Sequence, residues 1–164
     1  MLDKALFLQP RCAVLHPPQG SPQEQRRLLA GFAHHWKNGC DVPLLLENVA
    51  HSDIAALGRE FLLNHELGLC LDVGHLLSYA QENLLLSSLP EQAGMVHWSA
   101  PGDGDRHLPL TAFTPPQAQT AAALMARFSA TAIHMVETFN WDRFVPSLPV
   151  LEALAQEHAG RCGF

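Results

Sequence analysis

Residues 68–75 read Gly-Leu-Cys-Leu-Asp-Val-Gly-His. Gly68–Asp72 is a short apolar run of strand length that ends on a carboxylate, and helical spacing takes over from about His75 to Ser88. The same unit recurs on both sides. Upstream stand Cys12–His16 (CAVLH), followed by a helix from Pro22 to about Asn38, and Val42–Glu47 (VPLLLE), followed by a helix over about Asp53–Leu63. Downstream stand Met95–Trp98 (MVHW), with a Gly- and Asp-rich loop and a helix near Pro116–Phe128, and Ala132–Glu137 (AIHMVE), with a helix over about Ser147–His158. Ser21-Pro22-Gln23-Glu24 offers an N-cap, a proline in the first turn and a capping-box glutamate; Gly39 ends that helix, and Ser52 is the expected cap of the next. Five strand–helix units predict a parallel α/β sheet. The choice lies between an open doubly wound sheet and part of a (β/α) barrel. The first calls for a glycine-rich phosphate turn after a strand, and neither G-x-G-x-x-G nor G-x-x-x-x-G-K occurs. The second normally takes about 250 residues. The expectation is therefore one domain over residues 1–164: a TIM-barrel-like fold that is incomplete, with N-terminal units missing.

Composition narrows the function. Of 164 residues 48% are hydrophobic and 16% charged, enough for a core and unlike a disordered chain. No apolar run has membrane-spanning length and Met1-Leu2-Asp3-Lys4 does not open a signal peptide, so a cytoplasmic protein without a membrane is expected. The net charge of −6 and the lack of a basic stripe argue against nucleic acid. Cys12, Cys40, Cys70 and Cys162 form no C-x-x-C pair; disulfides and a zinc ribbon are not expected, and Cys12 and Cys70 read as small hydrophobes.

Histidine is abundant, ten in 164 residues, and its placement carries the argument. Each strand ends on a residue able to bind a divalent metal: His16, Glu47, Asp72, His97 and Glu137. Parallel barrel strands converge at their carboxyl ends, so these five gather on one face. Two loops add His75 in a D-x-x-H pair, and Asp105 with His107 in a D-x-H pair. Taken singly, each has a structural explanation as a cap, a turn former or a solvated side chain; joint placement overturns it. Glu47 and Glu137 close apolar runs, where a buried carboxylate needs a cation or a donor. Carboxylate and imidazole ligands suit zinc first, and also manganese or iron, and such cations lower the pKa of bound water. His34, His35, His51, His65, His134 and His158 are assigned to structure or solvent. Trp98, Phe139 and Trp141 are candidates to line a substrate pocket, and Arg106 and Arg143 to clamp an anionic substrate.

The segments LLLEN, CLDVGH, VHW, DRH and VETF, over residues 12 to about 150, resemble the xylose-isomerase-like TIM-barrel superfamily, which includes endonuclease IV and many sugar isomerases and epimerases. The resemblance implies a four-ligand metal core of Glu47, Asp72, His97 and Glu137. His16, His75, Asp105 and His107 are similar to the further ligands of the endonuclease IV branch (AP endonuclease family 2), with Glu47 bridging cations and one more histidine expected on an earlier strand. ENVAH departs from the small-residue turn of the DNA enzymes. DRHLPL and VETFNWDRFVPSL resemble the cobamide-remodelling phosphodiesterases, implying hydrolysis of the nucleotide loop of corrinoid cofactors.

Three functional expectations follow. The first is a metal-dependent phosphodiester hydrolase acting on a small molecule. The second is a sugar (phosphate) isomerase or epimerase in which Glu47 and Glu137, the catalytic pair, exchange a proton beside a carbonyl. The third is a truncated, non-catalytic barrel piece whose open edges a homodimer would cover.

Overall fold

The computed structural model describes residues 7–161 except 53 and 105. Five strands, β1 (Ala13–Leu15), β2 (Leu44–Glu47), β3 (Leu67–Asp72), β4 (Ala93–Trp98) and β5 (Ile133–Val136), form one parallel sheet in the order β1-β2-β3-β4-β5. That sequential order decides the architecture. A doubly wound sheet reverses its strand order at a switch point, whereas right-handed crossovers that all advance one way keep their helices on one face. The sheet curls about its other face into a half-barrel. Among the described residues, the outer edges of β1 and β5 pair with no strand.

Helix α1 (Pro22–Gly39) starts as expected, with Ser21 Oγ accepting the Glu24 N–H at 3.3 Å. The expected second helix is two short ones, α2 (Ile54–Leu57) and α3 (Arg59–Asn64), separated by Gly58 at φ 77°, which a helix cannot hold. Ser52, the expected cap, is buried with its hydroxyl donating to Gln25 Oε1, and Asp53, between it and the helix, lies outside the described residues. The third helix also breaks, into α4 (Val73–Ser78) and α5 (Glu82–Leu86), with Ala80 at φ 47° between them. α6 spans Pro115–Met125. α7 (Trp141–Arg161) starts before the expected Ser147 and runs through Pro146 and Pro149, its first turn fixed by Asn140 Oδ1 accepting the Asp142 N–H.

Alternation along the strands separates two faces. Leu44, Leu46, Leu67, Leu69, Leu71, Ala93, Val96 and Trp98 pack outward with Leu29 and Ala33 of α1, Leu76 of α4 and Leu124 of α6 in one buried cluster. Each such leucine contributes roughly 1.5–3 kcal/mol of transfer free energy. Leu45, Glu47, Cys70, Asp72 and His97 are as deeply buried but lie outside that cluster, on the concave side. Leu45 fills the space left by Gly68, where an added Cβ would lie 2.4 Å from Leu45 Cδ2. Ala93, Val96 and Trp98 share the outer face although 93 and 96 are an odd number of residues apart. The register explains it: Leu69 pairs with Ala93 but Cys70 with Met95, so Gly94 is bulged out.

Candidate metal centre

The carboxyl ends of β2, β3 and β4 and the residue after β5 bring Glu47, Asp72, His97 and Glu137 together. One ligand atom from each lies within 4.8 Å of all the others. Asp72 is level with His97 in the sheet register, and Glu47 is level with Cys70. Glu47, Asp72 and His97 are buried, and Glu137 is partly so. A second group, Asp72, His75 and His107, meets the same distance criterion, so Asp72 belongs to both.

Each member of the second group is held by its own local structure. Asp72 caps α4, its Oδ1 accepting the His75 N–H at 2.6 Å. Gly74 lets this turn approach β4, because a Cβ there would stand 2.1 Å from Ser99 Oγ. Taken alone, the polar loop after β4 reads as a solvated turn. In the structure it is pinched shut by paired backbone bonds between Ala100 and Leu108, which return His107 to the site with Nδ1 3.1 Å from Ser99 Oγ. His16, at the exposed rim, places Nε2 3.4 Å from Glu47 Oε2 and stands outside both groups. Asp105, the other expected ligand, lies outside the described residues.

Sequence reasoning missed Asn48. It is fully buried; its Nδ2 donates to the Asp72 carbonyl and to Gln81 Oε1, its Oδ1 accepts the Asp72 N–H at 2.7 Å, and its own carbonyl accepts His75 Nδ1 at 2.9 Å. That last bond fixes the His75 tautomer with its lone pair on Nε2. The signal was the polar residue directly after LLLE, at a position too buried for a turn former.

Among the candidate substrate residues, Trp98 does not reach the site. It is fully buried on the outer face, where Nε1 donates to His134 Nδ1 at 2.9 Å and the ring meets Phe128 edge-on. Phe139 is 81% exposed at φ 47° and sets its ring edge-on against His107, centroids 5.1 Å apart. Trp141, also exposed, stacks on Phe144. Arg143 donates to the His107 carbonyl at 3.4 Å, and Arg106 is exposed on the loop.

The quartet fits a divalent cation. Asp72 Oδ2, His97 Nδ1 and Nε2, and Glu137 Oε2 are buried without a well-aligned hydrogen bond among the described residues, although His97 Nδ1 is 2.7 Å from Glu137 Oε2. Four residues from separate strand ends, each offering a ligand atom within 4.8 Å of the others, form a ligand set. Without a cation, protons hold the site together. Burial pushes Asp72 up to about 7, against the pull of His75. Burial disfavours a charged His97, but Cys70, Glu137 and Glu47 prevail and push it up to about 12. Burial would raise Glu137, yet His97 holds it below its usual value.

The pH dependence follows. Asp72 and His97 both rise on folding, from 3.8 and 6.5, so their contribution is full below those values and is lost as pH climbs through about 7 and toward about 12. Glu137 acts oppositely, its contribution being lost as pH falls below 4.5. A cation displaces the protons on Asp72 and His97. ZnCl2 is therefore expected to raise the thermal midpoint more at about pH 8 than at about pH 6 and to release protons on binding. Equal shifts with no proton release, read by calorimetry in two buffers, would contradict this.

No family model matches the chain, and no curated protein matches it. Among solved structures, the TTHB071 protein from Thermus thermophilus, soaked with ZnCl2, aligns with a TM-score of 0.65 at 28% identity, over 95% of this chain and 66% of its own. The chain thus spans just under two thirds of that protein's length. The apo form of 3-keto-D-glucoside 4-epimerase, YcjR, from E. coli aligns with a TM-score of 0.46 at 14% identity, over 87% of this chain and 63% of its own. The Thermus likeness supports the motif-based resemblance at the level of the superfamily; no comparison speaks to cobamides. Among the described residues, no helix is long and apolar enough to cross a membrane.

Proposed function

We propose that this chain is the metal-holding part of a divalent-cation-dependent phosphodiester hydrolase, with the nucleotide loop of cobamides as substrate. The observation that carries it is the second ligand group, Asp72, His75 and His107, sharing a carboxylate with the quartet. Cations at such paired sites make water nucleophilic near neutral pH and neutralise charge on phosphoryl oxygens. Zinc is the first choice, and manganese and iron suit the same donors. Asp72 ties the two groups together, and Asn48 and the Ala100–Leu108 pinch keep His75 and His107 turned toward it. At the rim, Phe139 and Trp141 offer ring faces to a heterocycle, and Arg143 offers its charge to a phosphate.

A second reading, a sugar isomerase or epimerase, needs only the quartet. Its support is the placement of Glu137 Oε2 and Glu47 Oε2 at 2.7 and 3.6 Å from His97 Nδ1, a pair able to pass a proton on and off carbons beside a carbonyl. Of the two structures named above, the one whose name states an activity is a sugar epimerase, and neither is named a hydrolase.

The test uses the full chain loaded with ZnCl2 or MnCl2. Hydrolysis of bis-p-nitrophenyl phosphate and of a cobamide, without ketose interconversion, is the expected result; ketose interconversion alone would establish the second reading. His107→Ala is expected to lower hydrolysis by about tenfold or more, as for loss of one electrostatic contact to the developing charge. An epimerase would keep most of its turnover.

A further inference from the structure

Cys70 has a place in the site that its apolar neighbours in sequence conceal. Its side chain is fully buried, yet it is absent from the hydrophobic cluster that takes both flanking residues, Leu69 and Leu71. Strand alternation turns it to the concave face with Asp72, and the register sets it beside Glu47. Sγ of Cys70, a carboxylate oxygen of Glu47 and a ring nitrogen of His97 all lie within 4.8 Å of one another. His97 is itself 4% exposed and both of its nitrogens lack a well-aligned hydrogen bond among the described residues.

We propose that Cys70 is a metal ligand, making with Glu47 and His97 a sulfur-containing position beneath the carboxylate quartet that selects thiophilic cations. The inference rests on the site holding a cation and is independent of which reaction that cation serves. As the metal–sulfur bond forms, the thiol proton leaves to solvent and no electron changes hands. Carboxylate and imidazole donors alone admit manganese and magnesium; one thiolate tilts the preference toward zinc, cobalt(II) and cadmium. The position stacks along the barrel axis, Cys70 lying two residues before Asp72 on β3, so an ion can be held at either level with Glu47 and His97 common to both.

Cobalt(II) titration of the full chain tests this without reference to turnover. The expected result is a sulfur-to-cobalt charge-transfer band in the near ultraviolet together with visible ligand-field bands. Cys70→Ser and Cys70→Ala are expected to lose the charge-transfer band while keeping the ligand-field bands, and to lower cadmium-over-manganese selectivity by about tenfold or more. Cys12→Ser, a control at a partly exposed cysteine, is expected to keep it. Ligand-field bands without charge transfer in the unaltered protein, or a charge-transfer band that survives both Cys70 changes, would overturn the assignment of Cys70 alone. No cobalt bands of either kind would overturn the metal centre itself.

Discussion

Asp72→Asn is expected to leave the chain folded, reduce bound metal to one equivalent or less, and lower turnover on the order of 10²–10³-fold, the scale of losing a preorganised electrostatic contact. Folding is preserved because asparagine keeps the oxygen that accepts the His75 N–H and so keeps the α4 cap. Metal is lost because Asp72 alone belongs to both the quartet and the His75–His107 group, and a neutral amide is a poor ligand for a hard or borderline cation. The metal-free proteins should differ in the opposite sense. Burial holds Asp72 up to about 7, so ionising it above that pH costs the folded state, a cost asparagine never meets. With chelator at about pH 8, the variant is expected to melt no lower than the parent. Elemental analysis, turnover and thermal melts check the three parts. A variant that keeps two equivalents of metal would refute the shared-carboxylate arrangement.

Asn48→Ala is expected to be costly in both stability and metal affinity. It strips the side-chain partner from the buried N–H of Asp72, one of the donors to the Asp72 C=O and the donor to Gln81 Oε1, where water cannot replace them. Each such orphan costs about 1–3 kcal/mol, so a loss on the order of 3 kcal/mol is expected in chemical denaturation. Metal affinity is expected to fall about 10–100-fold, the usual size when a residue supporting ligands is removed. Asn48→Asp keeps the acceptor for the Asp72 N–H but sets a charge against the Asp72 carbonyl, and should restore little. Unchanged zinc affinity in a folded Asn48→Ala would show that Asp72 holds its position without the Asn48 amide.

The strand ends were legible because two features coincide in the sequence: short apolar runs, and a ligand-type residue closing each. Glu47, Asp72, His97 and Glu137 accordingly meet where a curled parallel sheet puts them. The helix breaks were not legible, since Gly58 and Ala80, both at positive φ, interrupt stretches whose apolar spacing is otherwise continuous. Trp98 was misplaced because it follows a ligand directly; adjacency along a strand means opposite faces, and the ring goes to the outer core. Asn48 and Cys70 were missed for a shared reason. Each supports the site from beneath or behind, in a context that reads as ordinary strand or turn until the register is known.

The extra residue in β4 has a reach beyond its own turn of chain. Had Gly94 taken its place in the ladder, Cys70 would face Gly94 and Asp72 would face Val96, and the imidazole of His97 would be swung into the oily layer beneath the helices. One unpaired glycine therefore acts as a gear tooth, letting a strand begin by gripping the helices with Ala93 and finish by presenting nitrogen to an ion. Register, more than composition, is the message: deleting Gly94 would remove the bulge and keep His97 opposite Asp72, whereas drawing Gly94 into the ladder would unseat the histidine while leaving every ligand in the sequence.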